Sequence, residues 1–204
     1  METLALSPIH VIEPDVRRRA AIFSQFQTCL IHAEVYESVA EFRAATPERG
    51  GILANHDAND VSVPSLVEFL KASATYLPLA MFSDDPTPNK VVSAVLSGAV
   101  DYLAWPFDPR QLRHACNRLC SCEEDHIRRE IRHAESRALI GRLTARECQL
   151  LYLLIEGGSN KSLAWTMAIS PRTVEIHRSN MMRKLEARST SEAVRIGLMA
   201  EALG

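Results

Sequence analysis

"ISPRTVEIHRSNMMRKL", residues 169–185, is the stretch on which the fold turns. Ser170 stands where a helix N-cap is favoured. Pro171 follows at the first helical position, where a missing N–H costs nothing. On a wheel of about 100° per residue, Val174, His177, Met181 and Leu185 fall on one side. Arg172, Glu175, Ile176, Ser179 and Arg183 fall on the opposite side, and Arg178 and Lys184 flank them. The first side reads as core, with His177 packed rather than ligating. The second mixes donors, acceptors and an apolar group, which suits the base edges of a major groove. Flanking cations, with Lys161 upstream, suit phosphates. A small helical bundle with a solvated charged face has the same pattern.

Working outward, the neighbouring segments are helical too. "TARECQLLYLLIEGG" begins with Thr144 and carries Glu147 three residues later, a capping box, and ends at Gly157 and Gly158. "NKSLAWTMA" is a short second helix, and "STSEAVRIGLMAEAL" a fourth. Two short helices, a turn and a capped, basic helix follow helix-turn-helix grammar. Residues 141–204 carry 9 Lys and Arg against 6 Asp and Glu, whereas residues 1–108 carry 7 against 14. A basic back half behind an acidic front fits a polyanionic partner for the back half.

The front half alternates strands and helices. "IHVIE", "CLIHA", "GGILAN", "LPLAMF" and "VDYLA" read as strands, separated by helices over 14–26, 38–45, 63–76 and 88–98. Five such alternations predict a doubly wound parallel sheet with helices on both faces. From Asp108 an N-cap and Pro109 open a helix with no breaker before Gly141. The expected organisation is an α/β domain over 1–120, a helical linker over 121–140 and an all-α, four-helix domain over 141–204.

The segment "LTARECQLLYLLIEGGSNKSLAWTMAISPRTVEIHRSNMMRKLEARSTSEAVRIG" resembles the LuxR-type DNA-binding domain in its FixJ-like form. The residues that carry the resemblance are Leu143-Thr144, Arg146-Glu147, Gly157, Asn160-Lys161, Ile169-Ser170, Thr173-Val174, His177 and Lys184-Leu185. The resemblance implies that Thr173, Glu175, Ile176 and Ser179 face the groove, with Lys161, Arg178 and Lys184 on the backbone. Many relatives carry lysine where this chain has Glu175, so its target sequence is expected to differ. It further implies a receiver domain in front, a homodimer on double-stranded DNA and regulation of transcription. A dimer face near Val91, Val95 and Tyr102 is expected by the same analogy, and RNA polymerase or a signalling protein as a further partner.

Receivers take a phosphoryl group on an aspartate after strand three, with a divalent cation held by acids after strand one and a lysine after strand five. Here Glu13 is followed by Pro14, which brings no carboxylate. Simple alignment puts His56 at the aspartate position, with Asp57 one residue later. In "AVDYLAWPF" (99–107), similar to the receiver segment ending Lys-Pro-Phe, Trp105 takes the place of the lysine. Ser83 and Tyr102 keep the hydroxyl and aromatic positions. The expectation is a receiver not controlled by standard phosphorylation, with a drier pocket lined by Trp105, Pro14 and His56. Two other readings remain: a conventional regulator phosphorylated at Asp57, and an adaptor working through protein binding by the front half.

Cys116, Cys120 and Cys122 lie near His114 and His126, so thiol or metal sensing stands beside simple packing. An odd count of five cysteines and no signal-like N-terminus fit a reducing cytoplasm. No apolar run is long enough for a membrane span. No phosphate loop, nucleophile elbow or cofactor motif is present, so no enzyme and no cofactor is expected.

Overall fold

The computed structural model describes residues 7–72 and 75–201. The chain divides into two compact units, Met1–His126 and Ile127–Gly204, whereas the sequence reading drew its boundaries at 120 and 140.

In the first unit β1 (Ile9–Ile12), β2 (Ala33–Tyr36), β3 (Gly51–Asn55), β4 (Leu79–Ser83) and β5 (Asp101–Ala104) form one sheet in the order β2-β1-β3-β4-β5. Every neighbouring pair is parallel. The crossovers are α1 (Val16–Thr28), α2 (Val39–Ala45), α3 (Val63–Ala72) and α4 (Pro88–Ser97), and α5 (Pro109–Ile140) follows β5. Residues 73–74 of the helix expected over 63–76, and 202–203 at the end of the last helix, lie outside the described residues.

Side chains on a strand alternate between faces, and here both faces are apolar. Ile9, Val11, Leu53, Ala80, Phe82 and Leu103 meet Ile22 and Phe26 of α1 and Leu112, Ala115 and Leu119 of α5. Ile12, Ile52, Ala54, Leu79 and Met81 meet Phe42, Leu66, Val67 and Ala94 from α2, α3 and α4. Burial at Leu112, Ala115, Cys116 and Leu119 follows the helical period, which anchors the first turns of α5. Cys116 therefore belongs to this core. Burial pushes its thiol up to about 12, with Cys120 and Cys29 nearby adding to the effect, and the Cys120 thiol is raised as well. Among the described residues no group of three His, Cys, Asp or Glu is placed to hold a metal ion. The cysteine cluster is packing, not a sensor, because a buried protonated thiol neither ligates nor attacks.

In the second unit the end of α5 is followed by α6 (Ala145–Ile155), α7 (Asn160–Thr166), α8 (Pro171–Lys184) and α9 (Thr190–Glu201). Their core holds Leu150, Leu154, Leu163, Met167, Val174, Met181, Leu185 and Ile196. The capping box at Thr144 and Glu147 is present in both directions. Among the described residues no helix is long and apolar enough to cross a membrane.

Candidate DNA-contacting face and the pocket at the sheet end

α8 starts as its sequence dictates. Ser170 accepts from the Thr173 N–H at 3.1 Å and Pro171 takes the first turn. Val174, Met181 and Leu185 are buried beneath the helix. Arg172, Glu175, Ile176, Ser179 and Arg183 are exposed on its other side, and Thr173 is half-buried beside the cap. Ile176 leaves 55% of its surface open to solvent, unusual for a branched aliphatic residue unless something covers it. One face of α8 thus offers cations, a carboxylate, a hydroxyl and an aliphatic group together. Lys161 is exposed on the preceding α7.

Two expected phosphate contacts are corrected. The Lys184 ammonium donates to the Glu147 carboxylate at 2.6 Å, and Glu147 is buried. Burial alone would raise that carboxyl. The Lys184 hydrogen bond, with the Thr144 N–H and hydroxyl, outweighs it and holds Glu147 below the ordinary carboxylate range. Lys184 is a strut between α8 and α6. The Arg178 guanidinium donates to Asn160 Oδ1 at 2.8 Å and to Thr190 Oγ1, so it ties α8 to the starts of α7 and α9. The wheel placed both residues at the rim of the outward face but carried no information about neighbouring helices.

In the first unit the strand ends gather polar groups beside the place where β1 pairs with both β2 and β3, the usual ligand position of an open α/β sheet. Glu13 follows β1 and is buried. Its carboxylate accepts from the Asp15 N–H at 2.8 Å and from Asn55 Nδ2 at 2.9 Å. Burial raises the Glu13 carboxyl above its ordinary value despite those bonds and the nearby Arg18. Register pairs Ile12 with Ala54, which sets Asn55 level with Glu13. Asn55, not His56, is therefore the residue at the end of β3 that faces the β1 acid. The two extra loop residues displaced the alignment by one, and only the strand register corrects it.

His56 and Asp57 point elsewhere. His56 Nδ1 lies 2.8 Å from the Tyr102 hydroxyl. The Asp57 carboxylate accepts from Lys90 Nζ at 2.6 Å and from the Asp84 N–H at 3.1 Å. Burial acts to raise the Asp57 carboxyl, but the Lys90 and Asp84 hydrogen bonds win and hold it below the ordinary range. Arg18 donates to Asp84 at 2.9 Å and lies 3.7 Å from Glu13. Lys90 was missed in the sequence. Its one signal is position, since a cation in the first turn of a helix opposes the macrodipole and needs a partner.

The expected dry pocket does not form from its three named residues. Trp105 precedes a cis peptide bond to Pro106 and packs edge-on against Phe107, ring centroids 4.9 Å apart. His56 is turned to Tyr102, and Pro14 is exposed. Ser83 is buried at the end of β4.

Residues 141–197 match the family of bacterial regulatory proteins described as the luxR family. The chain is 31% identical to the transcriptional regulatory protein FixJ of Azorhizobium caulinodans, over 95% of this chain and 92% of that protein. The chain belongs to the FixJ-like response regulators. It is a DNA-binding transcriptional regulator. The FixJ of Rhizobium meliloti is 29% identical over 93% of this chain and 94% of that one. Full-length FixJ from B. japonicum has a solved structure that is 27% identical, with a TM-score of 0.57 over 97% of this chain and 98% of that one. The response regulator StyR shares the fold, with a TM-score of 0.70 and 24% identity over 94% of this chain and 98% of that one.

A FixJ-like receiver implies a divalent cation at the strand ends, and these residues do not fit one. Mg²⁺ requires several oxygen ligands in near-octahedral order. Here Asn55 is an amide, Pro14 lacks a carboxylate, and the oxygens of Glu13 are bound by N–H donors. Arg18 already brings positive charge to Glu13 and Asp84, as Lys90 does to Asp57.

Proposed function

We propose that this FixJ-like regulator binds a specific duplex sequence as a homodimer in the cytoplasm, and that standard aspartyl phosphorylation does not control it. The outward stripe of α8 carries the first half of the reading. Arg172, Thr173, Glu175, Ile176, Ser179 and Arg183 would enter the major groove, with Glu175 accepting from a cytosine amino group and Ile176 meeting a thymine methyl. Lys161 on α7 would meet a phosphate. A two-fold dimer places its half-sites about one helical turn apart. The face near Val91, Val95 and Tyr102 is the proposed contact between the two copies.

The second half rests on one observation: the first unit's pocket carries its own counter-ions. Phosphoryl transfer to aspartate needs an available carboxylate, a metal and a cation to neutralise the product. The strand-end residue facing Glu13 is Asn55, and Asp57 is bound to Lys90.

The test is site selection from a random duplex library with purified full-length chain. The wild type should return a two-fold symmetric site. Lys161→Ala should weaken binding on all sequences alike and lower the salt slope by about one. Loss confined to particular bases in Lys161→Ala, or an unchanged site when Glu175 and Ser179 are both replaced by alanine, would overturn the reading.

A further inference from the structure

His56 and Asp57 are adjacent in the β3–α3 loop, and each reaches a different element. Asp57 holds Lys90 of α4 at 2.6 Å, and His56 meets the Tyr102 hydroxyl of β5 at 2.8 Å. Lys90 and Tyr102 both border a surface on which Val92, Val95 and Leu96 are exposed, with Leu96 at 83%. Two consecutive loop residues therefore grip both elements of an apolar face. We propose that the His56–Asp57 pair is a clamp that sets the α4–β5 face for self-association, and that protonation of His56 opens its β5 arm. This rests on the reading of that face as the dimer contact.

The chemistry of the arm is one-directional. Neutral His56, with its proton on Nε2, presents a bare Nδ1 that accepts from the Tyr102 hydroxyl. Protonation puts a donor on Nδ1, and two O–H and N–H donors then face each other. Tyr102 stays a donor, since burial raises its phenol further above neutrality. The groups facing His56 are Asp57 from its own loop, Lys90 from α4 and Tyr102 from β5. Burial lowers the imidazole, Asp57 opposes this and Lys90 adds to it, leaving His56 below the ordinary histidine value. The arm is closed at and above that ordinary value, and it opens as pH falls through the depressed one. Both residues are positioning residues: they act through Tyr102 and Lys90.

Two measurements on the full chain test this separately from the dimer reading. The ring C–H resonance of His56, assigned by its loss in His56→Leu, should titrate below the ordinary histidine range. In Tyr102→Phe its midpoint should move up, because the bond that favours the neutral ring is gone. An unchanged midpoint would sink the clamp. By sedimentation, the wild-type dimer should weaken about fivefold on acidification through that midpoint, the worth of one hydrogen bond. His56→Leu should be weaker by about the same factor at all pH values, with this pH step abolished. Asp57→Asn should weaken the dimer by a similar factor and keep the step. A step retained in His56→Leu counts against the proposal. Val95→Glu reports on the face itself: an undiminished dimer there removes the interface reading, while the resonance of His56 still decides the clamp.

Discussion

Each unit of this regulator contains a carboxylate–lysine pair at 2.6 Å, and the two pairs do opposite jobs. Glu147 has 4% of its side chain exposed, and Lys184 closes over it to lock α8 onto α6. Asp57 has 31% exposed, and Lys90 reaches it from the start of a helix at the unit's surface. The same distance therefore carries different energetic weight. In the second unit the pair is scaffold beneath a face left open for a partner. In the first it fills a place where partners would otherwise bind. A motif kept outward and a motif filled inward are different fates for the two halves of one chain.

The largest effect should come from breaking the buried pair. Lys184→Met leaves a buried carboxylate without its cation and should destabilise the second unit by about 2–3 kcal/mol, reduced from the fully buried case because the ammonium is partly solvated. Urea unfolding followed at a probe in α8 measures it. An acid limb should accompany it. The Glu147 carboxyl lies below its ordinary 4.5 in the folded chain, so the unfolded chain binds more protons as pH falls past that value. Its contribution is complete above 4.5 and is lost as pH falls through the depressed value. Glu147→Gln should flatten that limb, and a limb of unchanged slope would assign it to another group.

A smaller effect concerns the open face. Glu175→Ala should leave stability untouched and cost about 1–2 kcal/mol of discrimination at one base pair of each half-site. Competition binding against single-base variants reads this. Uniform loss across all variants would mean that Glu175 does not face a base.

How legible these features were depended on their range in sequence. The α8 cap, its two faces and the Thr144–Glu147 box are set within four or so residues, and periodicity displays them. The five strands were legible because a sheet covered on both faces needs near-continuous apolar runs. The roles of Arg178 and Lys184 were not, because their partners Asn160, Thr190 and Glu147 are brought near only by packing. Asn55 was hidden for a related reason. Which loop residue faces Glu13 is decided by the β1–β3 register, and a loop of altered length erases that count. Lys90, 33 positions from Asp57, left only its awkward place in a helix first turn.

The filled pocket makes the smallest predicted effects, and they sharpen the contrast most. Lys90→Met should cost under about 1 kcal/mol, since both members of its pair are partly solvated and water replaces the lost partner. A loss equal to that of Lys184→Met would erase the distinction between scaffold and filler. Mg²⁺ with beryllofluoride, a probe for an available receiver carboxylate, should change neither the fluorescence of Trp105, followed in Trp165→Phe, nor the sedimentation of the chain. The reason is local charge. For the reagent to bond Asp57 it must displace Lys90 and the Asp84 N–H, and the accompanying cation must enter beside Arg18 with no carboxylate at position 14 or 55 to receive it. If the reagent does shift the oligomer, repeating the measurement in Asp57→Asn decides the matter: a shift abolished there means that Asp57 is a phosphate acceptor in displaced geometry, and the first unit is then an active receiver.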